Sequence, residues 1–161
     1  MRVTKRSNIA MRVLMFCAAN SDRLVTKAEI ARATNASENH LAQVINQLAQ
    51  LGYLHTQRGR NGGLELARAP DQIVIGEIFR TIESRIPMTE CFGDVDNTCP
   101  LSDCCRLRDA LNDAAEAFFK TLDPLTLDTL TCDNEPLMAL LGTTGRCRTA
   151  ESAVARRAAV H

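Results

Sequence analysis

Residues 26–66 read TKAEIARATNASENHLAQVINQLAQLGYLHTQRGRNGGLEL, and the fold follows from this stretch. Thr26 stands before a helical run with Glu29 three positions on, the capping-box arrangement, and predicts a helix over 27–34. Asn35-Ala36 makes a turn. Ser37 is the expected cap of the next helix, from Glu38 to about Leu51, and Gly52 stops it as a left-handed C-terminal glycine does. Two short helices across a tight turn form a helix-turn-helix. In the second, Leu41, Val44, Ile45, Leu48 and Leu51 make an apolar stripe. Asn39, Gln43, Asn46, Gln47 and Gln50 make the opposite face, which is polar yet almost uncharged. Amides at that spacing suit the donor and acceptor pattern of base edges in a major groove; a merely solvated face would carry more Lys and Glu. Residues 53–57 then read as a strand, RGRNGG (58–63) as a turn, and residues 64–66 as the returning strand. The turn's glycines and asparagine are residues that accept positive φ. A hairpin directly after such a helix, with Arg58 and Arg60 at its tip, is a wing whose guanidinium groups suit phosphate or a narrow minor groove.

Upstream, the chain begins MRVTKRSNIAMRVLMFCAAN. Basic residues before an apolar stretch resemble a signal peptide, but Arg12 interrupts the stretch and no clean cleavage pattern follows. Ile9, Val13, Phe16 and Cys17 instead fall on one face of a helix over about 8–19. No apolar run approaches a membrane span, and the expected location is the cytoplasm. Composition is ordinary for a globular protein, 45% apolar and 24% charged, with a formal net charge of zero. That zero conceals an asymmetry: residues 1–69 carry ten Lys/Arg against four Asp/Glu, and residues 70–161 carry nine against fifteen. A basic half suits a polyanion. The expected organisation is a winged helix-turn-helix domain over 1–69, a cysteine-bearing and dimerisation region over 70–142, and a disordered tail over 143–161. Double-stranded DNA is the expected partner. Its contacts are expected from Ser37, Asn39, His40, Gln43, Asn46, Arg58, Arg60 and Asn61, with Arg2 and Lys5 from the basic N-terminal segment.

Downstream, residues 75–84 predict a short helix packing back on the first domain. A longer helix should begin at Leu101 or Arg106 and run to Leu122. Its apolar positions 107, 111, 114, 118 and 122 form a seam suited to a second copy of the same helix. Between the two lies ECFGDVDNTCPLSDCC (90–105), which holds four of the chain's seven cysteines. Structural zinc sites bring close pairs of ligands, twice over. This loop has no C-x2-C pair; its intervals are seven residues, then four or five. Single thiolates at wide intervals suit a polynuclear iron–sulfur cluster. Zinc, a thiol switch at Cys104-Cys105 and simple packing stay open as alternatives, although vicinal disulfides are strained. Cys17, Cys132 and Cys147 are isolated and read as packing or surface residues. An odd cysteine count without a secretory signal argues against a disulfide framework. No nucleophile–base pair is evident, so neither an enzyme nor a small-molecule substrate is expected.

The order of helix, helix-turn-helix, RGxNGG wing, C…C…CRL loop and long helix, over about residues 1–142, resembles the iron–sulfur winged-helix transcription repressors, the family that includes NsrR, IscR and RirA. The resemblance implies a mainly α fold and a homodimer on a palindromic operator. It also implies an iron–sulfur cluster in each subunit, [4Fe–4S] ahead of [2Fe–2S]. Its ligands would be Cys91, Cys99 and Cys105, because the family's third cysteine directly precedes the Arg-Leu start of a helix. Asp103 then becomes the expected cap of that helix, with Cys105 in its first turn. The chain departs from the pattern at the fourth ligand. An Asp contributed by the partner's first helix in nitric-oxide-sensing members is Asn8 here, and a His three residues past the last cysteine is Arg108. Asn8 and Cys104 are the remaining candidates. The segments MRVTKRSN, FCAAN, TECF, CPL and LLGTTG look like the iron-responsive members, and NHLAQVINQLAQLGYL like the nitric-oxide sensors. The reading is an iron- or cluster-responsive repressor, with nitric-oxide sensing as the alternative.

Overall fold

The computed structural model describes residues 3–83, 90–92 and 97–141. The architecture is mainly α with one two-stranded antiparallel sheet, the winged helix-turn-helix arrangement. Helix α1 (Lys5–Ala19) is the hub. Nine of its fifteen residues are buried, Ile9, Val13, Leu14 and Phe16 among them, and it packs against the elements on every side. It begins three residues earlier than the apolar periodicity suggested, because Thr4 caps it by accepting the Ser7 N–H at 3.2 Å. Cys17 packs in this core, and burial pushes its thiol up to about 12.

Helix α2 (Lys27–Thr34) carries the expected capping box, with Thr26 and Glu29 exchanging hydrogen bonds, and ends at Asn35 in the left-handed region, φ 48°. Helix α3 (Glu38–Gln50) turns Leu41, Val44, Ile45 and Leu48 into the core. Ser37 occupies its N-cap position but makes no side-chain cap bond, so its exposed hydroxyl stays available to a ligand. Strands β1 (Leu54–Gln57) and β2 (Gly63–Leu66) pair with Leu54 opposite Leu66 and Gln57 opposite Gly63. The glycines of the turn differ in role from expectation. Only Gly59 has positive φ, at +114°. Gly62 and Gly63 are required by close approach: a Cβ there would lie 2.3 Å from the Gln57 carbonyl oxygen and 2.9 Å from the Val25 carbonyl oxygen respectively. Val25 and Leu64 exchange backbone hydrogen bonds of 3.0 and 2.8 Å, which fastens the wing to the segment before α2.

Beyond a 3-10 turn at Pro70–Gln72, helix α4 (Ile75–Glu83) buries Ile75, Gly76, Ile78 and Ile82 in the same core. Helix α5 (Arg106–Leu122) follows the cysteine loop, then α6 (Leu127–Thr131) and α7 (Glu135–Leu140). Backbone bonds Ile75 N–H to the Leu125 carbonyl and Leu127 N–H to the Ile73 carbonyl, both 2.9 Å, tie the late segment to the start of α4. One hydrophobic core therefore spans residue 69. Leu127, fully buried, is its most distant contributor in sequence. Leu127→Ala is expected to cost about 2–5 kcal/mol in denaturant unfolding; a loss below about 0.5 kcal/mol, the range of surface substitutions, would place this segment outside the core.

Candidate nucleic-acid interface and cysteine loop

Burying the apolar stripe of α3 leaves the opposite side of the helix to solvent. Asn39, His40, Gln43 and Asn46 are all exposed there, and spacings of three and four residues bring Asn39, Gln43 and Asn46 onto one face. Gln47, expected on this face, is instead half-buried, and its amide Nε2 has no hydrogen-bond partner among the described residues. The acidic residue at the start of the helix, Glu38, is drawn to Lys27 at 3.1 Å. Arg58, Arg60 and Asn61 are exposed at the wing tip. Lys5 is exposed on the first turn of α1; Arg2 lies outside the described residues.

Charged side chains close both ends of α2. The Thr26 backbone and hydroxyl hydrogen bonds hold the Glu29 carboxyl below the usual range, and Arg23 at 2.8 Å contributes. A depressed carboxylate stabilises the fold above its unfolded pKa and loses that contribution as pH falls through the folded value, so the α2 cap weakens under acid. Arg12 of α1 also donates to the Thr34 carbonyl at 2.8 Å, closing the C-terminus of α2.

In the cysteine loop, Cys91 sits in a 3-10 turn (Glu90–Phe92), and Cys99 opens a run of turns that ends at α5. Cys91, Cys99 and Cys105 are half-buried, whereas Cys104 is exposed, its thiol 3.7 Å from the Leu101 carbonyl oxygen. Helix α5 starts at Arg106, one of the two expected positions, but without the expected cap. Cys105 itself is the N-cap, in extended conformation, and Asp103 is exposed in the preceding turn and caps nothing. Cys105 thus stands just outside the helix and not in its first turn. Arg108 lies over the Phe92 ring, 5.9 Å from its centroid, bringing the two ends of the loop together. Among the described residues, no three His, Cys, Asp or Glu side chains are close enough to share a metal ion. Asn8 is exposed on α1. Cys132 is half-buried and disulfide-bonded, where the sequence suggested a packing or surface residue without a disulfide, and Cys147 lies outside the described residues.

Two connections were invisible in the sequence. Glu83, the last residue of α4, accepts hydrogen bonds from the Thr4 N–H at 3.0 Å, the Thr4 hydroxyl at 2.9 Å and the buried Ser7 hydroxyl. The residue that leads into the cysteine loop therefore closes the N-terminus of α1. At the other side of α4, Arg80 pairs with Asp123 (Nη2 to Oδ2 3.0 Å) and lies over the Phe119 ring. Asp123 fits because residue 76 is glycine; a Cβ there would meet its carboxylate.

These elements define a winged helix-turn-helix DNA-binding protein. A family model described as "Rrf2: Iron-dependent Transcriptional regulator" matches residues 3–133. The chain is 43% identical over 142 residues to the HTH-type transcriptional regulator NsrR of Geobacillus kaustophilus, covering 88% of this chain and 97% of that protein. It is 42% identical over 144 residues to protein aau3 of Rhizobium meliloti, covering 88% and 92%. Among solved structures, T. potens IscR matches with a TM-score of 0.60 at 24% identity, over 81% of this chain and 85% of that one. The B. subtilis cysteine regulator CymR matches at 0.61 and 23%, over 81% and 96%. The chain belongs to the Rrf2 family and is a DNA-binding transcriptional regulator, not an enzyme.

Arg58→Ala and Arg60→Ala should each weaken DNA binding and flatten its dependence on salt; unchanged affinity and slope in both would remove the wing from the interface. Asn39→Ala or Gln43→Ala should reduce discrimination by about 1–3 kcal/mol per bidentate contact. An equal loss on preferred and random duplexes would contradict base reading.

Proposed function

We propose that this regulator is a homodimeric repressor whose binding to a palindromic operator is controlled by an iron–sulfur cluster on Cys91, Cys99 and Cys105. The observation that carries the reading is the placement of three half-buried cysteines between the end of α4 and the start of α5. Glu83 at the end of α4 is fixed to α1, and α5 has no buried residue within a single chain. The donor set fits the group: soft thiolates, with the exposed Cys104 directed at a backbone carbonyl. Holding a cluster would draw the three thiols together. When bound, a cluster supplies a redox- and iron-sensitive centre, [4Fe–4S] suiting three thiolates and one weaker ligand better than [2Fe–2S].

The remaining steps belong to the chain. Leu107, 66% exposed at the start of α5, and the half-buried Leu111 and Phe118 offer a seam to a second copy. Two recognition helices about 34–36 Å apart would then match successive major grooves. The Glu83 contacts fasten the end of α4 to α1, which packs on α3, and would pass a displacement of that end to the recognition helix. Loss of the cluster would thereby weaken operator binding. The signal in this reading is iron or cluster status. The similarity to proteins named NsrR favours nitric-oxide sensing as the second reading.

Anaerobic purification with iron and sulfide analysis tests the ligand set. Wild type and Cys104→Ala should retain iron and sulfide, while Cys91→Ala, Cys99→Ala and Cys105→Ala should not. Retention by Cys105→Ala with loss in Cys104→Ala would shift the register by one residue. Loss in both would make Cys104 the fourth ligand, and stoichiometric zinc in wild type would replace the cluster with a structural metal. Asn8→Asp tests the remaining coordination position. A carboxylate there should slow cluster decay in air, and an unchanged rate would place Asn8 away from the cluster.

A further inference from the structure

The C-terminus of the recognition helix is closed in two stages. Leu51 is its C-cap and Gly52 adopts φ +74°. The Gly52 N–H then bonds the Ala49 carbonyl at 3.0 Å and the Tyr53 N–H bonds the Leu48 carbonyl at 2.9 Å, the double bond pattern of a Schellman motif. That pattern does not use the carbonyls of Leu51 and Gly52. Both are taken by one side chain from the far end of the hairpin. Arg68 donates Nε to the Gly52 carbonyl at 3.1 Å and Nη2 to the Leu51 carbonyl at 3.4 Å. Its guanidinium carbon lies 4.9 Å from the centroid of the buried Tyr53 ring. One residue earlier, the Ala67 N–H bonds the Tyr53 carbonyl at 3.0 Å. A planar fork on two carbonyls, stacked on an aromatic ring at the negative end of a helix dipole, uses every property that separates arginine from lysine.

We propose that Arg68 is a positioning residue for DNA recognition: it sets the angle between α3 and the wing, so that the base-reading face and the wing-tip arginines engage one duplex together. This rests on the reading of α3 and the wing as the DNA interface. Arg68 is one of the basic residues of the 1–69 half to which reasoning from charge and tip position assigns no role. It lies at the end of α3 remote from Asn39, about 18 Å along the helix axis, so it acts through the helix and not on the bases.

The test is duplex binding by the anaerobically purified protein across a salt series. The probes are a duplex selected by the wild-type protein from a random pool and a random duplex of equal length; the variants are Arg68→Ala, Arg68→Lys, Arg58→Ala and Arg60→Ala. Arg68→Ala should lose about tenfold or more on the selected duplex, with much less loss on the random one and an unchanged salt slope. Arg68→Lys should fail to restore the loss. The chain holds one tyrosine and no tryptophan, so a single tyrosine-ring NMR signal should shift in both Arg68 variants but not in Arg58→Ala. A flattened salt slope in Arg68→Ala, rescued by lysine, would make Arg68 a phosphate contact and overturn the proposal; so would an equal loss on both duplexes, or no loss. Should Arg68→Ala fail to fold, Arg68→Lys alone decides, wild-type affinity overturning the proposal. Unchanged binding in both Arg58→Ala and Arg60→Ala would remove the wing from the interface, whatever Arg68 does.

Discussion

The first turn of any α-helix exposes N–H groups that its own residues cannot satisfy, and in α1 this end lies against protein. Thr4 supplies one acceptor from within the chain's own start, and Glu83 supplies a carboxylate from 79 residues away. Negative charge at a helix N-terminus is favourable in itself, and the buried Ser7 hydroxyl could not be left without a partner at low cost. The end of α4 is therefore pinned to the helix around which the core is built. Glu83 is thus both the last residue of α4, ahead of the cysteine loop in the chain, and an anchor of the DNA-binding half.

The loop's second anchor is of a different kind. Helix α5 touches the rest of the chain mainly through α4, by Phe79 against Phe118 and by Arg80 on Asp123, with Glu116 at 3.7 Å. The guanidinium holds the Asp123 carboxyl below its usual range, so this pairing persists at neutral pH and weakens as acid protonates the carboxylate. Charge pairing and ring contacts fix where α5 leaves α4, yet the single chain leaves the helix without a buried residue. A loop fixed to a core at one end and to an unburied helix at the other is suited to transmit changes in its own geometry.

The elements readable from the sequence were those whose determinants are local. Thr26 and Glu29 are three residues apart, and the stripe Leu41, Val44, Ile45 and Leu48 repeats at the helical period; both occur where expected. What the sequence concealed depends on distant partners. Nothing near Glu83 marks it as a cap for α1, and nothing near Gly62 or Gly63 reveals the carbonyls that forbid a side chain there. Arg68 looked like one more positive charge because the carbonyls it serves belong to another element. Asp103 had the right chemistry for a cap, but the turns after Cys99 carry the chain past it to Cys105. The candidate DNA face was legible because exposure follows from the burial of the other side of α3. The geometry of the cysteines was not, since spacing does not specify how a loop folds back.

In the proposed mechanism, cluster status reaches the DNA-binding face through this pair of anchors. The most direct measurement compares one anaerobic preparation before and after gentle removal of its iron and sulfide, titrated onto the same selected duplex at fixed salt. The cluster-loaded protein should bind more tightly, with the difference much reduced in Glu83→Gln. Equal affinity of the two forms for that duplex would contradict that mechanism.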